Sequence, residues 1–146
     1  MRRKAWIVVA LMVTAIGVVA PPASALVTTI DIEITVETTF DPNDVDVISS
    51  SNIANCTGGS VEDGPANIAF TPFGGVFAGF KIFTCSGGGF VLRLNARFSS
   101  DGSVGTWAVL DSTGVFEGLR GNGMLVGEPF VGGITDHYEG TFIFKD

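Results

Sequence analysis

His137 is the sole histidine of this 146-residue chain, so any imidazole chemistry must run through it. A Ser-His-Asp relay also needs a serine on a sharp turn, and no Gly-x-Ser-x-Gly elbow occurs. His137 alternates with Glu139 along one extended segment and adjoins Asp136, which is too few ligands for a metal site. It reads as a histidine on an exposed strand face, and no metal is expected there. Asp41, Asn43, Asp44 and Asp46 gather oxygen ligands that would suit calcium. Asp46, however, stands where an EF-hand loop has its sixth-position glycine, and Asn52 where it has its bidentate acid. A solvated acidic loop is the expectation. Gly118, Gly121 and Gly123 run G-x-x-G-x-G with no helix behind them, which does not make a dinucleotide loop. Arg93, Asn95 and Arg97 share one strand face and could grip a carboxylate inside a lumen. Such alternation more commonly marks the solvent side of a half-buried strand. Fifteen acids offer pairs for glycoside chemistry, but none has a sequence context that would raise a carboxyl pKa. Asn55-Cys56-Thr57 fits the glycosylation triplet, which matters only on a eukaryotic secretory route.

Cys56 and Cys85 are the only cysteines. What they do depends on the compartment, and the first 25 residues speak to that. Arg2, Arg3 and Lys4 precede an apolar run, Ala5 to Ala20, then Pro21-Pro22 and the small triplet Ala23-Ser24-Ala25. This is the order of a secretory signal peptide cleaved after Ala25, and the run is short of the roughly 20 residues that span a bilayer. Residues 26–146 are then one secreted domain with no stable membrane insertion. In an oxidising compartment the two cysteines read as a disulfide. From Leu26 onward, five basic residues face fifteen acidic ones, a net charge of −10. That balance argues against nucleic acid or an anionic membrane as partner.

The elements that would position these side chains alternate with period two. Ile30, Ile32, Ile34 and Val36 interleave with Asp31, Glu33, Thr35 and Glu37. Phe90, Leu92, Leu94, Ala96 and Phe98 interleave with Val91, Arg93, Asn95 and Arg97, and Tyr138, Gly140, Phe142 and Phe144 share a third face. Shorter apolar pieces lie between, punctuated by glycine, serine and aspartate clusters. Phe40 to Ser51, with Pro42 and three aspartates, reads as a loop. About eight short strands without crossover helices predict an all-β fold, a small closed antiparallel barrel, with a β-sandwich as the alternative. Twenty glycines favour the barrel, because curled strands need bulges and tight bends.

Gly105 to Gly123 reads Gly-Thr-Trp-Ala-Val-Leu-Asp-Ser-Thr-Gly-Val-Phe-Glu-Gly-Leu-Arg-Gly-Asn-Gly. This stretch resembles the strand, Gly-x-aromatic-x-Gly turn and Gly-x-Gly pattern of the allene oxide cyclase-like and dirigent-like small β-barrels, at Gly114, Phe116, Gly118, Gly121 and Gly123. Tyr138-Glu139-Gly140-Thr141-Phe142 is similar to their closing strand, and Cys85 with Phe90-Val91-Leu92-Arg93 is similar to secreted bacterial relatives. The resemblance covers about a third of the chain beyond Ala25 and implies an eight-stranded barrel with an apolar lumen, as a possible homo-oligomer. It also implies chemistry without a cofactor, the cyclisation or coupling of hydrophobic substrates. It carries no catalytic residue over to this chain.

The expected function is therefore a secreted barrel that is non-catalytic or holds a small hydrophobic molecule. Phe90, Leu92, Leu94, Phe98, Trp107, Tyr138 and Phe142 are the candidate lumen lining. A cofactor-free cyclase or isomerase, or a dirigent-type protein, is the first alternative. It requires a cavity with an inward-facing acid or arginine. A structural or partner-binding protein, marked by an exposed apolar patch, is the second.

Overall fold

A computed structural model describes residues 26–145; the expected leader and its cleavage after Ala25 lie outside these residues. Eight strands follow one another: β1 (Val27–Thr39), β2 (Asp46–Ser51), β3 (Ser60–Thr71), β4 (Gly74–Cys85), β5 (Gly88–Ser99), β6 (Gly102–Gly114), β7 (Arg120–Phe130) and β8 (Gly133–Lys145). Each pairs antiparallel with its sequence neighbours, and β8 returns to β1, so the sheet closes into a barrel. The β1–β8 seam is continuous from Val27↔Lys145 to Thr39↔Gly133. Closure leaves free edges only where a strand outruns its neighbour, and period two then decides which side chains point in.

One expectation is overturned. The segment Phe40 to Ser51 is not all loop, because Asp46–Ser51 forms β2 and pairs with β1. Its inward positions are Asp46, Ile48 and, past a register shift, Ser51, of which only Ile48 is both apolar and buried. The strand is held by its partner more than by its own composition. A register shift at Thr35/Val36 lets the short strand follow the curve of β1. β2 meets β3 only through Asp46↔Val61 and Val47↔Ser60. Elsewhere, two-residue connections at Pro72-Phe73, Ser86-Gly87, Ser100-Asp101 and Val131-Gly132 join long strands, as in an up-and-down meander.

The two ends of the barrel differ. The end reached by β4, β6 and β8 is packed solid. Phe83 stacks on Phe90 at 4.9 Å, and Phe90 meets Phe142 edge-on at 5.2 Å and Phe116 at 5.5 Å. Trp107 abuts Phe142, its centroid 5.7 Å away. Each such ring buried whole contributes about 1.5 to 3 kcal/mol, and edge-to-face geometry adds to that. Ile53, Cys56 and Leu119 close the floor beneath them. The Cys56–Cys85 disulfide, 29 residues apart with a Cα–Cα distance of 4.9 Å, ties the β2–β3 connection to the end of β4. This bond is consistent with an extracellular protein.

Candidate functional site

The opposite end, where β1 leaves and β2 enters, stays open. A cavity of about 460 Å³ lies within the mouth. Phe77, Leu94, Ala96, Phe98, Leu125 and Ile134 supply most of its apolar wall. A larger hollow of about 680 Å³ lies against the outer wall of β3 to β7. Buried ionisable groups belong to the mouth and not to that hollow, so the chemistry is sought in the mouth.

Three ionisable side chains, Asp63, Lys81 and Asp136, line the mouth cavity, and a fourth, Asp46, reaches Lys81 from the neighbouring cleft. Lys81 is 7% exposed and Asp136 is 7% exposed, the two buried charged residues of the described chain. The Lys81 Nζ contacts Asp63 Oδ1 directly and lies 3.4 Å from Asp46 Oδ2. Asp46 also accepts a hydrogen bond from Thr38 Oγ1 at 3.1 Å. Burial alone would pull the Lys81 ammonium down. The Asp63 hydrogen bond and the fields of Asp63, Asp46 and Asp136 outweigh it and hold the group above its usual value. The Asp136 carboxyl is pushed up to about 6, chiefly by burial and further by Asp46 and Asp63, against the opposing pull of Lys81. Gly127 makes room for it, since a Cβ there would stand 2.7 Å from Asp136 Oδ1. Tyr138, next inward on the same face, is fully buried, and its hydroxyl has no hydrogen-bond partner. Desolvation and the three carboxylates raise its pKa well above 10. The phenol thus stays protonated, a donor held without an acceptor.

The sequence-derived lining divides between the two halves. Phe90, Leu92, Leu94, Trp107, Tyr138 and Phe142 are all buried inward, as alternation required. Only Leu94 and Phe98 of the seven candidates border the open cavity; Phe98 is half-buried there. The rest fill the packed half. The turn motif has a packing role. Phe116 is buried against Phe90, and Gly114 and Gly118 take φ of 63° and 78° in the β6–β7 turn that delivers it. Gly121 and Gly123 face inward beneath aromatic rings; a Cβ on Gly123 would stand 2.6 Å from the Trp107 indole. The indole Nε1 donates to the Met124 carbonyl at 2.9 Å, so this large side chain leaves no polar atom unpaired.

Other candidates lie apart from the cavity. Arg93, Asn95 and Arg97 are exposed on the outer wall of β5. His137 is also outside, with Nε2 3.8 Å from Glu128 Oε2 and Nδ1 3.4 Å from Thr35 Oγ1. In the acidic loop, Asp41 Oδ1 accepts from the Asn43 backbone N–H and side-chain amide, and Asp44 accepts from Thr39. Among the described residues, no group of three or more His, Cys, Asp or Glu side chains is placed to hold a metal ion.

Sequence reasoning missed Lys81 and Asp136, and it found no acid with a raised pKa. The signal was present. Asp136 stands two residues before Tyr138, and Lys81 two before Phe83, so each shares the inward phase of an aromatic neighbour. Reading Asp136 together with His137 and Glu139 hid that phase. Comparison of the chain with protein-family models and with curated proteins yields no match.

Proposed function

We propose that the protein binds a small, mainly hydrophobic molecule in the open half of its barrel, with the molecule's polar end set against Lys81 and Asp136. One observation carries this reading: an apolar cavity of about 460 Å³ with the buried charged groups of Lys81 and Asp136 on its wall. Ligand sites of this kind combine greasy walls with a few placed polar groups. A protein packed for stability alone has little use for such charges, because removing ions from water costs several kcal/mol each. The leader-like residues 1–25 and the disulfide support secretion, with the mature chain beginning at Leu26. The likeness to the allene oxide cyclase-like and dirigent-like barrels agrees with a ligand housed inside the sheet.

The test is titration with lipophilic acids, alcohols and amides, followed by calorimetry and by Trp107 emission. Ala96→Phe fills the cavity from a half-buried wall position. It is expected to weaken binding about ten-fold or more, the loss of a little over 1 kcal/mol, with little change in melting temperature. A panel in which no compound binds, or binding that survives Ala96→Phe unchanged, would refute the proposal.

Asp136 gives a second reading its footing. A carboxyl with a pKa of about 6 exchanges its proton near neutral pH, as a general acid-base group must. In a cofactor-free isomerase or cyclase it would pass a proton to or from a bound substrate, while Lys81 stabilises developing negative charge. Turnover of a bound compound that rises or falls around pH 6 and is lost in Asp136→Asn distinguishes catalysis from simple binding.

A further inference from the structure

Strand pairing lapses where a strand outruns its neighbour: β1 has no β2 partner from Val27 to Glu33, β6 has no β7 partner from Val109 to Gly114, and the longest such gap runs along β3. β3 is paired with β4 from Ser60 to Thr71, but on its other side β2 reaches only Ser60 and Val61. From Glu62 to Thr71 the β2-facing edge of β3 has no strand partner, and no turn or loop backbone hydrogen bond among the described residues reaches it. The acidic loop stands off from it across a cleft of about 380 Å³. Every residue from Pro65 to Thr71 is exposed, including Ile68 at 51% and Phe70 at 78%, although both point to the inner side of the sheet. Unpaired edges template further pairing unless charge, proline or a covering element blunts them. Glu62, Asp63 and Pro65 guard the first half of this edge. Ala66-Asn67-Ile68-Ala69-Phe70-Thr71 carries no such guard.

We infer that this edge is a docking strand for a second copy of the same chain, through antiparallel β3–β3 pairing about a two-fold axis. Charge confines where a second copy can approach, and the self-complementarity of a free strand under a two-fold axis makes that copy the occupant. Each copy carries the −10 excess from Leu26 onward, so two copies repel over most of their surfaces. Gly64 to Phe80, seventeen residues, is the longest uncharged run in that region, and it contains the free edge and its hairpin partner. It is where a like-charged molecule can approach at least electrostatic cost. Symmetry fits as well. In an antiparallel pair, residues directly opposite project to the same side of the sheet. A two-fold axis normal to the sheet at Ile68 therefore sets Ile68 against its counterpart and keeps both inner faces on one side. The exposed Ile68 and Phe70 of each copy then cover those of the other beside the two mouths. The pairing is isologous and closes at two, because it uses up the free edge of β3 in both copies.

Ala69 faces outward and is exposed, so a charge there leaves the monomer's core untouched. Sedimentation of the chain from Leu26 across micromolar concentrations is expected to give a dimer. Ala69→Lys should raise its dissociation constant about ten-fold or more, since the pairing sets like charges close together across the two-fold. Backbone amides of Ala66–Thr71 should gain hydrogen-exchange protection with rising concentration, and lose that gain in Ala69→Lys, whose melting temperature should equal the parent's at concentrations where the parent is monomeric. A parent protein that stays monomeric at every concentration overturns the inference. So does a dimer that Ala69→Lys leaves intact, or one whose protected amides lie on the outer wall of β6 and β7. None of these readouts depends on ligand binding, so the reading of the mouth stands or falls separately.

Discussion

Asp136 is the residue whose environment departs furthest from what its type prefers. Its carboxyl titrates near 6 in the folded chain, against about 3.9 when unfolded. Below about pH 4 both states hold the proton and burial costs little. Between there and about 6 the unfolded chain releases its proton first, so stability falls as pH rises, and the full cost is present above 6. Two pKa units correspond to about 2 to 3 kcal/mol. Asp136→Asn, neutral throughout, is expected to exceed the parent by up to that amount at pH 7 and to match it near pH 4. Urea denaturation at the two pH values measures the difference. Lys81 behaves in the opposite sense. Replacing it with methionine strands Asp46 and Asp136 without their cation and should cost about 3 to 5 kcal/mol at neutral pH. The loss should shrink in acid, where the carboxyls are protonated.

At the scale of the strand, what could be read beforehand depended on how many inward positions were apolar. β5 offers Phe90, Leu92, Leu94 and Ala96 in unbroken phase, and β8 offers Tyr138, Phe142 and Phe144, so their faces were legible from the residues alone. β2 has one buried apolar side chain, Ile48, behind a proline and three aspartates. Its extended form comes from pairing with β1, a long-range contact that no local pattern records. β4 and β8 each carry one inward ion among aromatics, and an assumption of a uniformly apolar lumen passed over both. Glycine content pointed rightly to curvature, and the structure gives particular glycines particular duties. Gly123 pairs with Gly140 across β7 and β8, and the Trp107 ring lies over both, 2.6 and 2.7 Å from where their Cβ atoms would stand. A Cβ on Gly123 would also overlap the Glu139 backbone carbonyl, so Gly123→Ala must strain the β7–β8 pairing as well as shift the indole; it is expected to cost about 3 kcal/mol or more, with a change in Trp107 emission. The disulfide acts on the same scale. Cys56→Ser with Cys85→Ser frees a loop of 29 residues and should lower stability by about 3 to 4 kcal/mol, checked by denaturant midpoint.

Taken as a whole, the barrel has unlike ends. One is stoppered by interlocked rings and a sulfur bridge; the other holds a cavity, an ion cluster and a rim of exposed apolar side chains, with Phe40 at 69%, Phe73 at 89% and Val131 at 102% exposure. Exposed apolar side chains lie on the rim and along the free edge of β3. The cavity and inward acid required of an enzyme are present too. These features share one end of one molecule and do not compete for space.

A stoppered barrel also acts as a ruler. Whatever enters must stop where Leu94 and Leu125 give way to the rings below. On the proposed reading, in a homologous series of fatty acids or alcohols each added methylene should therefore gain up to about 0.8 kcal/mol until the tail has filled the cavity. Past that length affinity should level off or drop, because the surplus carbons have to stay in water. The chain length at the break, read by calorimetry, measures the depth of the well from inside.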